Sequence, residues 1–299
     1  MSATSGPPLR GDLHLYPFGK MDRPTVVANQ YRELLREEHE NGEILCLTRL
    51  CNEQDLTDSI IDSLDDVGYP TVFSLSTFAT ETLQAFTPEV RELSDHERLE
   101  LLAEFLDDYD WESEYLVDAS QKESFQQDVG ELLIEMESRN AIDPRVYESS
   151  ILQEIATAGG EFQSLLSDEK YVDRPSLIPR ATTELKNADT NGDVPQSISQ
   201  WDVILVADFE ELAQTERQFL AAVAKAADAS IVAIAERDSR LLSSWREAGN
   251  IESLADGLEI SSHTIDQETV SAPSVVGEYL ATGEYPEAPV DDGSVQVIE

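Results

Sequence analysis

Residues 203–206 read Val-Ile-Leu-Val, and residues 231–235 read Ile-Val-Ala-Ile-Ala. Side chains alternate between the two faces of an extended strand, so a run that is apolar at every position must be covered on both faces. Strands of this kind belong to parallel sheets flanked by helices. DLHLY at 12–16, GEILCLTRL at 42–50 and PTVFS at 70–74 are further short runs, each followed by an amphipathic segment. The alternation predicts an α/β fold, a parallel sheet with strands near 12–16, 43–48, 71–75, 202–207 and 230–235.

Between 87 and 166 the period changes to that of helices, in HERLELLAEFLDDY, SFQQDVGELLIEMESRN and DPRVYESSILQEIA. This stretch reads as a helical insertion packing as a separate lobe. The polar segment NADTNGDVPQS at 187–197 reads as a loop. TERQFLAAVAKAA at 215–227 and residues 239–247 read as helices. Beyond 250, HTIDQ has the pattern of a strand, PSVVGEYLATG that of a helix, and 294–298 that of another strand.

Lys and Arg total 20 against 61 Asp and Glu, a formal charge of −41. The acids are spread along a chain that keeps its apolar periodicity, which points to a folded protein adapted to high salt rather than a disordered one. Molar salt screens repulsion to a few ångströms, so the net charge there says little about a nucleic-acid partner. In ordinary salt it would oppose one. Cys46 and Cys51 are the only cysteines, a poor basis for a metal site or a disulfide framework. No uninterrupted apolar stretch approaches the length of about 18 residues that marks a membrane span. The opening MSATSGPPLRGD lacks a signal-like apolar region. These features predict a soluble cytoplasmic protein.

Four stretches together carry a resemblance. GEILCLTRLCNEQDLTDSIIDSL resembles motif Ia of superfamily 1 helicases of the UvrD/Rep/RecB group, and TVFSLSTFATETLQAF resembles the T-F-x-x-F/L stretch after their third strand. WDVILVADFEEL resembles their motif II, and SIVAIAERDSRLLSSWREAG their motif III. The resemblance spans about residues 12–250 and is closest in style to the helicase-like half of AddB nuclease subunits. It implies a P-loop NTPase-like (RecA-like) sheet with a helical insertion. Residues 1–86 would then form the first part of domain 1A, 87–166 a 1B-like insertion and 167–250 the second part. Residues 251–299 would be the incomplete start of a 2A-like domain or a docking tail.

The nucleotide motifs depart from the family's pattern. A P-loop needs a cradle of backbone N–H groups, a Lys on the phosphates and a Ser or Thr on magnesium. The corresponding segment is Tyr16-Pro17-Phe18-Gly19-Lys20-Met21-Asp22-Arg23-Pro24-Thr25. One register places Gly19 and Lys20 on the glycine–lysine pair but Met21 on the hydroxyl. The other places Arg23 on the lysine and Pro24 on the hydroxyl, beside Thr25. Pro17 and Pro24 have no N–H to give, and Asp22 repels phosphate. In motif II, Ala207 stands at the magnesium aspartate and Asp208 at the catalytic glutamate, with Glu210 and Glu211 after them. In motif III, Arg240 replaces the glutamine that senses the γ-phosphate, while Trp245 and Arg246 keep the aromatic–arginine pair.

Loop, metal ligand and sensor thus all depart, each differently. The expectation is a helicase-like scaffold without ATPase activity and without a cofactor, acting as a DNA repair or recombination accessory or subunit. Its expected partners are single-stranded or tailed DNA and a helicase or nuclease subunit, with no membrane. By resemblance, Thr48, Arg49, Thr77, Phe78, Trp245 and Arg246 would touch DNA. Two alternatives stay open. One is an active ATP-dependent helicase module that uses ATP and Mg, with Asp208 and Glu211 catalytic and Gly19, Lys20, Arg23, Thr25 and Arg240 at the nucleotide. The other is a protein-interaction scaffold.

Overall fold

The computed structural model describes residues 11–17, 21–37, 39–64, 68–122, 124–237 and 261–264. Its first part alternates strand and helix. In chain order come β1 (Gly11–Pro17), α1 (Arg23–Arg36), β2 (Ile44–Thr48), α2 (Glu53–Ser63), β3 (Thr71–Ser74) and α3 (Leu75–Phe86). A helical stretch follows, with β4 (Arg91–Glu92), α4 (Asp95–Asp107), α5 (Glu114–Ser120), α6 (Phe125–Ser138), α7 (Ser150–Asp168), β5 (Tyr171–Val172) and α8 (Arg174–Asn191). The chain then returns through α9 (Gln196–Ser199) to β6 (Val203–Val206), α10 (Gln214–Ala227), β7 (Ser230–Arg237) and β8 (Ser261–Thr264). The helix expected at 239–247 and the elements expected at 273–283 and 294–298 lie outside the described residues; the strand expected near HTIDQ is β8.

The described chain divides into two compact units. One comprises Met1–Leu75, Gln196–Ala213 and Leu220–Glu299; the other comprises Ser76–Pro195 and Gln214–Phe219. In the first unit, six strands form one sheet in the order β3-β2-β6-β7-β1-β8. Every neighbouring pair is parallel. The all-apolar runs are buried on both faces, as their sequence requires: β2 and β6 are buried at every position. Ile44, Cys46, Val72, Val203, Leu205, Val232 and Ile234 share one core cluster with Val27 and Tyr31 of α1 and Leu56 and Ile60 of α2. The alternate residues Leu45, Leu47, Ile204, Val206, Ile231 and Ala233 are buried too. Each large apolar side chain removed from water in this way contributes about 1.5–3 kcal/mol.

The helical unit has its own core. Leu102 and Leu106 of α4, Leu133 and Met136 of α6, and Ile155, Phe162 and Leu166 of α7 pack in one cluster. Its ends are well capped: Ser94 and Glu97 form a capping box on α4, and Asp173 accepts from Ser176 N–H at the start of α8. After β5 a further helix, α8, runs through Asn191, across the start of the segment whose sequence pattern reads as a loop from 187. Gly192, at φ 78°, closes α8 by donating its N–H to Ala188 C=O at 2.8 Å. Pro179 does not break this helix. It falls in the second turn, where its ring forfeits one hydrogen bond, the one to the Pro175 carbonyl. No described helix is long and apolar enough to cross a membrane.

Candidate functional site

In an open parallel sheet, ligand sites form beyond the carboxyl ends of the strands, where neighbouring strands send their chains in opposite directions. Here that point lies between β2 and β6. From β2 the chain moves outward to β3, and from β6 it moves the other way to β7. The residues that follow these two strands are Arg49, Leu50 and Cys51 on one side and Ala207 and Asp208 on the other.

Asp208 fills this crevice. It is 1% exposed, and it turns its carboxylate toward the loop after β2. Its Oδ1 accepts from Arg49 N–H at 2.9 Å. Its Oδ2 accepts from Leu50 N–H at 2.7 Å, Thr48 Oγ1 at 3.1 Å and Cys51 N–H at 3.3 Å. Three successive N–H groups thus wrap one carboxylate, with the Thr48 hydroxyl as a fourth donor. The loop leads directly into Asn52, whose side chain caps α2 through Gln54 and Asp55 N–H. Asp208 therefore fixes where α2 begins.

The second element of the site comes from the start of α1. Arg23 Nη1 donates to the Ala207 carbonyl at 2.8 Å, and Nη2 meets Glu210 Oε1 at 2.5 Å. One guanidinium thereby ties the loop after β1 to the turn after β6. Burial pulls the Arg23 pKa down, but the hydrogen bond and charge of Glu210 outweigh it and leave it above the ordinary value. Burial likewise raises the Glu210 pKa, with Arg23 opposing. The pair is only partly sheltered, its side chains being 18% and 14% exposed.

Around the first turn of α1 little remains for an anion. Thr25 is exposed and gives its hydroxyl to Asp22. Pro24 occupies the first turn and has no N–H. Gly19, Lys20, Arg240, Trp245 and Arg246 lie outside the described residues. Glu211 is half-buried in the turn after Asp208, and its carboxylate has no partner among the described residues. The Cys51 thiol is pushed up by burial and by Asp208, which disfavours a nucleophilic thiolate. Cys46 is fully buried in β2, and its thiol is pushed up in the same way.

The DNA-contact candidates fall into two sets. Thr48 is fully buried and bonded to Asp208 and to the Cys51 carbonyl, while Arg49 beside it is half-buried. Thr77 is exposed on the first turn of α3. Phe78, one residue on, is 2% exposed, its ring centroid 6.1 Å from that of Phe219. Base stacking on Phe78 would require that ring to be uncovered.

At the amino ends of the strands, before β2 and β6, His39, Glu43 and Asp202 each bring one ligand-type atom within 4.8 Å of the others. Asp202 is exposed, and Glu43 Oε2 already accepts from Glu40 N–H at 3.0 Å. Its members come from two connections far apart in sequence, His39 and Glu43 before β2 and Asp202 before β6, so the sequence does not group them.

No protein-family model matches the chain. No curated protein matches it either.

Proposed function

We propose that the chain is a degenerate helicase-like protein of the UvrD/AddB style, built on a P-loop NTPase-like sheet that no longer hydrolyses ATP. In this reading it serves as a DNA repair or recombination accessory, binding single-stranded or tailed DNA or a helicase or nuclease subunit. The strand order supports the reading. β7 lies between β1 and β6, so the loops after β1 and β6 are two strands, or about 10 Å, apart. That gap suits a phosphate chain with its metal, and a Rossmann sheet, with β1 beside β2, is ordered differently.

The observation that carries the loss of chemistry is the Arg23 bridge. The one cation described at the end of this loop is committed to Glu210 and the Ala207 carbonyl. Asp208, at the catalytic position of the resembled motif, has both oxygens engaged by the loop after β2. Among the described residues, alanine at 207 and the engagement of these groups remove a metal ligand and a cation that phosphate and magnesium would use.

The test is nucleotide binding and turnover in molar KCl with magnesium, alongside binding of labelled single-stranded and tailed DNA. The expected result is DNA binding without nucleotide binding or hydrolysis. Turnover abolished by Lys20→Ala or Asp208→Ala in protein that remains folded would make this an active module. Absence of any DNA complex across salt concentrations would leave a protein-interaction scaffold.

A further inference from the structure

Ile44 of β2 and Val203 of β6 stand in register in their parallel pair, so the residues just before them, Glu43 and Asp202, are neighbours at the amino ends of the strands. Asp202 N–H donates to the Glu43 carbonyl at 2.9 Å, and the Asp202 carbonyl accepts from Ser230 N–H at 2.9 Å. Glu43 closes the short turn before β2. Its N–H donates to the Glu40 carbonyl at 2.9 Å, and its Oε2 accepts from Glu40 N–H at 3.0 Å. His39 follows α1, and its N–H reaches back to the Leu34 carbonyl at 3.4 Å. The backbone is therefore pinned at all three positions.

One imidazole nitrogen and one oxygen of each carboxylate lie within 4.8 Å of one another. Three atoms so spaced share a centre no more than about 2.8 Å from each, and small side-chain rotations close that to the roughly 2.0–2.2 Å of a zinc-type bond. Neither the His39 ring nor the Asp202 carboxylate has a hydrogen-bond or ion-pair partner among the described residues. The pairing of β2 with β6 brings two like charges together, and a divalent cation neutralises both. An acid pair alone suits any cation. The imidazole beside it selects a transition metal over magnesium or calcium, which take oxygen ligands. Glu40 N–H orients the Glu43 carboxylate, as outer-shell donors orient metal ligands. His39 and Glu43 are half-buried and Asp202 is exposed, which leaves the remaining coordination positions to water.

We propose that His39, Glu43 and Asp202 bind one divalent transition-metal ion of the zinc class. The ion joins the connection between α1 and β2 to the start of β6, clamping the two strands where they begin. Asp208 lies at the other end of β6, so this site and the nucleotide-free reading above stand or fall separately. The unfolded chain does not hold three ligands from such distant positions together, so binding stabilises the folded sheet unit. With these donors, affinity rises from manganese to cobalt and remains high for zinc.

The experiment is calorimetric titration of the full chain with zinc in molar potassium nitrate, with magnesium in excess. Nitrate complexes zinc only weakly, and the magnesium occupies surface acids that hold any cation. The expected result is one zinc per chain, a rise in melting temperature with zinc, and weaker binding of manganese. His39→Ala and Asp202→Asn should each lose at least tenfold in affinity, together with the thermal shift. Should either fail to fold, as judged by circular dichroism, Glu43→Gln keeps an acceptor for Glu40 N–H and should lose zinc in the same way. His96→Ala removes the exposed His96–Glu100 pair on α4 and should change nothing. Absence of a saturable one-to-one phase, displacement of zinc by the magnesium, unchanged affinity in a folded variant of the three ligands, or an equal loss in His96→Ala would overturn the proposal.

Discussion

At the scale of single residues, Asp208 holds more of the sheet unit together than its place in an acidic turn implies. Four donors converge on it from Thr48 to Cys51. Asp208→Ala would strand them in a nearly dry crevice, and we expect a loss of about 3–5 kcal/mol in chemical denaturation at high salt. Asp208→Asn, which keeps one carbonyl, should recover part of it. Glu210→Ala should cost only about 1 kcal/mol, because its pair with Arg23 is partly solvated and Arg23 keeps the Ala207 carbonyl. Glu137 makes a prediction of the opposite kind. Its carboxyl titrates at 4.5 in an unfolded chain and, raised by burial and then by the charge of Asp173, at about 7 in the folded one. Between those values the folded chain holds a proton that the unfolded chain has released, so this contribution is complete below pH 4.5 and is lost as pH rises to 7. The wild type should therefore lose stability across pH 5–7.5 relative to Glu137→Gln; parallel pH curves for the two would refute the assignment. Sequence alone pointed to Asp208 but as a catalytic candidate. Its partners are the Thr48 hydroxyl and three backbone N–H groups, 157 to 160 positions away and brought near by the pairing of β2 with β6, and no residue type announces the backbone ones. Arg98 and Glu137 did leave a trace: each sits on the apolar stripe of its helix, one turn before Leu102 and one turn after Leu133. A charge in that position has to find a buried partner.

At the scale of elements, the strands were legible because runs such as VILV admit one solution, burial on both faces, and five predicted strands appear close to their predicted bounds. α8 was not legible. Its polar second half lacks an apolar stripe beyond Leu185 and Ala188, and Pro179 reads as a stop. What holds it is the cap at each end and the Asp173–Arg98 bond of 2.6 Å at its start, which is a tertiary contact. α7 carries two adjacent glycines whose roles differ. A Cβ on Gly159 would lie 2.5 Å from Leu133 Cδ2 and 2.8 Å from Ile142 Cδ1, whereas a Cβ on Gly160 would meet nothing within 4 Å. Gly160→Ala should therefore stabilise the helical unit by about 0.5–1 kcal/mol, the ordinary gain of replacing a mid-helix glycine. Gly159→Val should destabilise it by about 1–3 kcal/mol, since the packed Leu133 and Ile142 side chains must move aside. Thermal melts of the two variants decide the matter; equal and opposite signs from these would mean that α7 is rotated about its axis relative to this packing.

At the scale of the whole molecule, the charge of −41 makes a DNA-binding reading testable in an unusual way. A conventional binder neutralises several phosphates with Lys and Arg, and its affinity falls steeply with salt, with a slope of about −0.9 per phosphate contacted on duplex and about −0.7 on single strands. This chain has 20 basic residues against 61 acidic ones, and of the DNA-contact candidates Thr48, Thr77 and Phe78 carry no charge. Few counterions are then released, while the repulsion between two polyanions is strong. The Debye length falls from about 10 Å at 0.1 M salt to 3 Å at 1 M, so added salt removes the repulsion before it weakens short-range contacts. Binding of a labelled oligonucleotide, followed by fluorescence anisotropy in KCl from 0.2 to 3 M, should therefore strengthen at first and then level off. The melting temperature should rise over the same range, because self-repulsion within the fold is screened by the same ions. Equal effects of NaCl and KCl at matched ionic strength would tie both changes to screening. A slope as steep as −3 or more across the range would reveal a concentrated basic interface, and the acidic-scaffold account of DNA contact would then be wrong.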